Sequence, residues 1–202
     1  MLRPTLALAA LLALAGCAAE AAQEPADADP LTLSPFAAVP GADVLRAQLA
    51  RPESAKPRSY SARSDSWSGY AANLVAYDPA SRTSTWLFDD NGQWIVGQSD
   101  LQADSSRTIA LEVDVVREDT NDDDRVDADD RRAVVIAAPD GSGATTVVEA
   151  MDRDLGRFQT GPTTRLLMYQ IGGAVRAVEV DLETREATAV PIGGHPGGEL
   201  PS

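Results

Sequence analysis

An alternation of apolar and polar residues in the segment TIALEVDVV, residues 108–116, constrains the fold of this chain more than any other feature. Its apolar positions recur at period two, which is typical of a half-buried strand: Ile109, Leu111, Val113 and Val115. Two pairs of apolar runs flank turn signals, RLLMYQI and AVRAVEV around Gly172-Gly173, and STWLF and QWIV around DDNG. We therefore expect an all-β domain of antiparallel hairpins over residues 66–192.

Three segments share a plan of apolar strand, aspartate, polar turn and second strand: LVAYDPASRTSTWLF, VVIAAPDGSGATTVV and AVEVDLETREATAV. Their aligned aspartates, Asp78, Asp140 and Asp181, are 62 and 41 residues apart, and the first gap contains an acidic insert. This repeat resembles WD-repeat-like bacterial β-propeller proteins, whose blades recur roughly every 40–45 residues. Closed propellers have about 4–8 blades. The resemblance therefore implies an incomplete propeller or a sandwich of about three blade-like units, and a generic run of hairpins is the alternative.

The insert EDTNDDDRVDADDRR concentrates negative charge between two predicted strands. Eight of the 31 acidic residues lie in the thirteen positions from Glu118 to Asp130. Residues 119–130 resemble the calcium loop of EF-hands of the dockerin kind. The resemblance implies Ca²⁺ bound by the Arg125 carbonyl and by five side chains: Asp119, Asn121, Asp123, Asp127 and Asp130.

Two positions depart from the EF-hand pattern. Asp124 stands where the loop usually has glycine, and Asp130 is shorter than the usual glutamate, so that Asp129 is an alternative closing ligand. A strand enters the insert and another leaves it, which favours a structural calcium clip over a switch because no helix pair exists to open. The alternative is a solvated acidic loop that binds no specific ion.

The first residues have the pattern of a signal peptide, in which Arg3 precedes the ten-residue apolar run LALAALLALA. Its LAGC ending resembles the lipobox of bacterial lipoproteins. That resemblance implies removal of residues 1–16 and a lipid on Cys17, which anchors the protein to a membrane. Ala18 favours the outer membrane as the location of the protein. Both the periplasmic face and the surface face of that membrane are alternatives. Because Cys17 is the sole cysteine, the chain has no disulfide and no zinc–cysteine cluster.

Residues 17–65 are rich in Ala, Pro, Ser and acidic residues, which indicates a flexible tether after the lipidated cysteine. Within it, GADVLRAQLA predicts a short helical stretch. Residues 193–202 are expected to form a flexible tail. Without Arg3 the chain has 16 basic and 31 acidic residues, a net charge of −15, which argues against nucleic acid as a partner.

An enzyme is not expected. The sole histidine, His195, lies in the predicted tail, and no glycine-rich phosphate loop is present. The sequence thus predicts a non-catalytic, calcium-binding envelope lipoprotein that acts as a structural or protein-interaction module, with another envelope protein as partner. The alternatives are a passive acidic lipoprotein and, less favoured, a hydrolase built on paired carboxylates.

Overall fold

The structure is a computed structural model that describes residues 31–51, 70–123, 126–127 and 129–193. Within these ranges it contains no helix, and therefore none that could cross a membrane. Its thirteen strands are β1 Thr32–Leu33, β2 Ala37–Ala38, β3 Leu45–Ala50, β4 Ala71–Asp78, β5 Thr83–Trp86, β6 Trp94–Asp104, β7 Arg107–Val116, β8 Arg132–Ala137, β9 Thr145–Met151, β10 Arg153–Gln159, β11 Thr164–Ile171, β12 Ala174–Asp181 and β13 Ala187–Val190. The prediction of an all-β fold is confirmed.

The strands form two antiparallel sheets, and neither sheet closes into a barrel in the described part of the chain. The larger sheet has nine strands in the order β1-β3-β4-β6-β7-β8-β9, with β2 beside β3 and β5 beside β4. The smaller sheet is a simple meander of β10, β11, β12 and β13. Short turns connect most neighbours, as expected for antiparallel pairing.

The predicted Gly-Gly hairpin is present between β11 and β12. Ile171 pairs with Ala174, so that only two residues form the turn. Gly172 and Gly173 have φ angles of 55° and 78°, a combination that is costly for residues with a Cβ. The sequence therefore located this turn, because its conformation depends on two adjacent residues.

The three repeated aspartates each begin a hairpin turn, between β4 and β5, β8 and β9, and β12 and β13. In each turn the aspartate Oδ1 accepts a hydrogen bond from the backbone N–H two residues later, at 2.7 Å for Asp78, 3.0 Å for Asp140 and 2.9 Å for Asp181. The first two hairpins lie in the larger sheet and the third in the smaller one. The fold thus consists of packed sheets, and a propeller-like assembly stays a prediction.

Three local predictions are wrong. STWLF and QWIV do not pair with each other, because β5 pairs with β4, and β6 also meets β4 at Ala71 and Ile95. In addition, residues 31–51 of the predicted tether belong to the larger sheet, and the stretch expected to be helical contains strand β3, paired with β4. Residues 17–30 and 52–65 of the predicted tether lie outside the described residues.

The core is built on both faces of β7 and β8. One face contributes Ala110, Val134 and Ile136 to a cluster with Leu167 and Val180 of the smaller sheet. The opposite face packs within the larger sheet against strands β4 and β6, through Leu111, Val113, Val115, Val135, Ala137, Leu74 and Ile95. The expectation that TIALEVDVV has one solvent-facing side is therefore wrong, because the smaller sheet covers it.

Candidate metal loop and the contacts that hold it

The acidic loop, residues 117–131, connects β7 to β8, and these two strands pair directly up to Val115 and Ala133. It is therefore an insertion at the end of a hairpin, as the sequence predicts. Such a loop starts and ends at neighbouring points of the sheet. A change in the conformation of the loop therefore affects the ends of both β7 and β8.

The first turn of the loop is ordered by side-chain oxygens that accept backbone hydrogen bonds. Asp119 Oδ1 accepts from the N–H groups of Asn121 at 3.2 Å and Asp122 at 2.8 Å. Asn121 Oδ1 accepts from the N–H of Asp123 at 3.0 Å. Asp122 has a φ of 61°, a left-handed conformation that Asp and Asn adopt more readily than most residues. Aspartate and asparagine at these positions thus shape the turn.

Asp130 closes the loop from its other end. Its Oδ1 accepts from the Thr120 backbone N–H at 2.6 Å and from the Thr120 hydroxyl at 3.0 Å, and its Oδ2 accepts from the Asp127 N–H at 2.8 Å. The Thr120 hydroxyl oxygen in turn accepts from the Arg131 N–H at 2.8 Å. Asp130 is only 2 % exposed. One carboxylate therefore ties the start, middle and end of the loop together.

The pKa of Asp130 is the result of two opposing effects. Burial raises it, and the hydrogen bonds from Thr120 and Asp127 lower it more, so that the pKa lies below its ordinary value. The carboxylate is therefore ionised at neutral pH, and its negative charge is solvated by protein donors.

Val126 attaches the loop to the core. It packs against a small cluster of Tyr70, Val96 and Val116, together with Trp94. At the far end, Arg131 Nε donates to Asp152 Oδ1 at 2.8 Å, and Asp152 Oδ2 accepts from the Gly172 N–H at 2.6 Å. The loop is consequently fixed to both sheets.

The predicted calcium ligands occupy two environments. Asn121 and Asp123 are exposed and Asp119 is half-buried, whereas Asp127 and Asp130 are buried and face backbone amides. Arg125 and the lipidation site Cys17 lie outside the described residues. In the described part of the chain, no three Asp, Glu, His or Cys side chains are grouped as a metal cage.

A second charged cluster, which the sequence did not indicate, lies between the sheets. Arg157 of β10 donates to Glu112 at 3.0 Å, to Asp114 at 2.7 Å and to Asp154 at 2.7 Å. Arg165 of β11 donates to both oxygens of Glu112 at 3.0 Å. Glu112 and Asp114 are the polar positions of the alternating strand β7. They face the smaller sheet instead of water.

Burial and charge act in opposite directions in this inter-sheet cluster. Burial raises the pKa of Asp114 above its ordinary value, more than the nearby guanidinium groups of Arg157 and Arg132 lower it. Burial lowers the pKa of Arg157, but Asp114 and Glu112 raise it more, so that it stays protonated. The cluster is structural in geometry, because every carboxylate in it is paired with arginine. It has no free acid or base for catalysis.

No protein-family model, curated protein or solved structure matches this chain. Its function therefore has to be inferred from its own residues and the contacts they make.

Proposed function

We propose that this protein is a non-catalytic bacterial lipoprotein, attached to the outer membrane through Cys17, whose loop 119–130 binds one calcium ion that strengthens the β-domain. The observation that carries the proposal is the seating of the loop. An oxygen-rich segment joins two paired strands, its Val126 packs on the core, and its closing Asp130 is buried. An ion in such a loop stabilises the fold directly, because it binds the folded chain only.

The chemistry of the loop fits a hard cation. Ca²⁺ prefers six to eight oxygen ligands at about 2.4 Å. Asp119, Asn121 and Asp123 present side-chain oxygens near the surface, and the Arg125 carbonyl is the proposed fourth ligand. Asp127 Oδ1 and Asp130 Oδ2 each accept one backbone hydrogen bond, which leaves each of these oxygens a second lone pair for the ion, whereas Asp130 Oδ1 already accepts two hydrogen bonds.

Calcium at about 10 mM is expected to raise the melting temperature of the protein by roughly 3–10 °C relative to chelator. We take a dissociation constant of about 10⁻⁴–10⁻³ M, typical of extracellular modules, which corresponds to roughly 1.4–2.7 kcal/mol of stabilisation. Magnesium should act much less, because it dehydrates reluctantly. Differential scanning calorimetry at equal ionic strength measures both effects.

Matched variants locate the ion. Asp119→Ala and Asp123→Ala should remove the calcium shift. Asp122→Asn should keep it, because Asp122 is outside the ligand set and asparagine tolerates its left-handed backbone. If the parent protein melts at the same temperature in calcium and in chelator, the loop is a solvated acidic connection and the passive-lipoprotein alternative stands.

Replacing Cys17 by serine is expected to abolish lipidation, because the hydroxyl cannot form the thioether that the lipobox resemblance implies. Metabolic labelling with palmitate should mark the parent chain in the membrane fraction, while the Cys17→Ser variant keeps its signal peptide and carries no label. Equal labelling of both chains would refute the lipoprotein assignment.

Capture from envelope extracts, with and without chelator, then tests for an envelope protein as partner.

A further inference from the structure

A cleft of about 520 Å³ opens on the larger sheet. It is lined by Leu49, Asn73, Trp86, Phe88, Asp89 and Asn91. Trp86 has 46 % of its surface exposed, which is unusual for the largest apolar side chain. A volume in this range is typical of sites for small groups.

Buried amides hold the walls of this cleft in place. Asn73 is 2 % exposed, and its Nδ2 donates to the carbonyls of Phe88 at 2.9 Å and Asp90 at 3.0 Å, while its Oδ1 accepts from the Phe88 N–H at 3.1 Å. Gln93, also buried, donates to the carbonyls of Ala72 at 2.7 Å and Asp90 at 2.8 Å. The loop between β5 and β6 is therefore fixed on the sheet, and the cleft does not need to form on binding.

The polar group left over at this site is a carboxylate. Asp89 is exposed and has no hydrogen bond or ion pair with any described residue, whereas the neighbouring Asp90 uses one oxygen for the Gly92 N–H at 2.9 Å. A free carboxylate beside an exposed indole matches a cation, because the ring face and the negative charge both attract it. The net charge of the chain, −14, strengthens this preference over neutral or anionic ligands.

The same loop already binds a guanidinium group from within the chain. Arg51 lies with its Cζ 4.2 Å from the centre of the Trp94 ring, and its Nη2 donates to the carbonyls of Asn91 at 2.7 Å and Gln93 at 2.9 Å. An aromatic face and nearby oxygens thus suffice to hold an arginine side chain at this loop. Trp86, Phe88 and Asp89 offer an equivalent combination to a group from outside.

We propose that this cleft, defined by Trp86, Phe88, Asp89 and Asn91, binds the guanidinium or ammonium group of an arginine or lysine side chain presented by a partner protein. The cation stacks on the exposed indole of Trp86, and the Asp89 carboxylate neutralises it. Asn91 Oδ1, which accepts a hydrogen bond from Asn73 Nδ2 at 3.1 Å, offers its second lone pair to the cation.

The test is a titration of the ¹⁵N-labelled full chain in nonionic detergent with an acetylated and amidated Gly-Arg-Gly-Arg-Gly peptide. A choline detergent is avoided because its headgroup carries a competing cation. We expect a saturable shift of the Trp86 indole N–H resonance and at least tenfold weaker binding of the same peptide with citrulline, the neutral isostere of arginine. Asp89→Asn, followed by the Trp86 indole resonance, and Trp86→Leu, followed by the Asn91 side-chain amide resonance, should each weaken binding of the arginine peptide about tenfold.

Two control variants carry equivalent changes on the other sheet. Glu183→Gln removes an exposed charge and Phe158→Leu an exposed ring, and both should bind the arginine peptide as the parent does. Equal binding of the arginine and citrulline peptides, or no effect of Asp89→Asn, would overturn the proposal. A Trp86 shift produced by a neutral oligosaccharide but not by the peptide would also overturn it and would identify a glycan as the occupant. A Trp86 shift that depends on protein concentration alone would overturn it as well and would identify a second copy of the chain as the occupant.

Discussion

Replacing Arg157 by methionine should lower the free energy of unfolding by about 3–5 kcal/mol, the usual effect of removing one partner from a buried ion pair. Methionine keeps an unbranched apolar stem but removes the charge and the hydrogen-bond donors of the guanidinium group. Glu112, Asp114 and Asp154 then lose a cation at 3.0, 2.7 and 2.7 Å. Arg165 continues to compensate Glu112, so that the main cost falls on Asp114. Urea unfolding at neutral pH measures the loss.

Arg176→Met is the matched control, because Arg176 is exposed on β12. A change within about 0.5 kcal/mol is expected there. If Arg157→Met destabilises the protein no more than this control, the inter-sheet cluster contributes nothing to stability.

The Arg157→Met variant should also show a changed pH dependence. The pKa of Asp114 is raised in the folded protein, so that the folded state binds this proton at pH values where the unfolded chain has released it. The stability that this group contributes is therefore full at low pH and falls as pH rises through the window above about 4. Loss of Arg157 raises the pKa further. The difference in unfolding free energy between the parent and the Arg157→Met variant should consequently become smaller as the pH is lowered into that window.

The second large effect is expected at Asp130. Asp130→Ala should cost about 3 kcal/mol, because the Thr120 N–H, the Thr120 hydroxyl and the Asp127 N–H all lose their acceptor. Asp129→Ala is the control, since Asp129 is its exposed neighbour, and it should change stability by less than about 0.5 kcal/mol. Thermal unfolding of both variants in chelator separates this structural role from any bound ion.

The pH dependence at Asp130 has the opposite sign to that at Asp114. Its pKa is lowered in the folded protein, so that its contribution to stability is present above about pH 4 and is lost as pH falls through the folded pKa. The Asp130→Ala variant should therefore lose less stability than the parent on acidification. Equal stability of the Asp129→Ala and Asp130→Ala variants in chelator would contradict the assignment of Asp130 as the residue that closes the loop.

Part of the candidate site could be predicted from spacing alone. The position of the acidic loop between two strands follows from the order of residues along the chain, and the first turn at Asp119 and Asn121 depends on residues close in sequence. The inward direction of the Asp130 carboxylate could not be predicted, because a list of acidic residues does not distinguish an oxygen that faces an ion from one that faces a backbone amide.

Sequence patterns predicted part of the local structure of this protein. Period-two alternation defined β7, two glycines defined the turn between β11 and β12, and three aspartates marked the start of three hairpin turns. Each of these outcomes depends on steric and hydrogen-bonding preferences within a few residues. They can therefore be inferred without knowledge of the rest of the chain.

The pairing of the strands and the segments that cover each strand face could be read only from the tertiary structure. Glu112 and Asp114 occupy polar positions that alternation assigns to solvent, yet they meet Arg157 and Arg165, which are 43–53 residues away in sequence. In the same way, β5 pairs with β4 and not with β6, while Asn73 and Gln93 hold the loop that follows it. Alternation indicates which residues share a face of a strand, but the burial of that face depends on distant segments that compete to cover it.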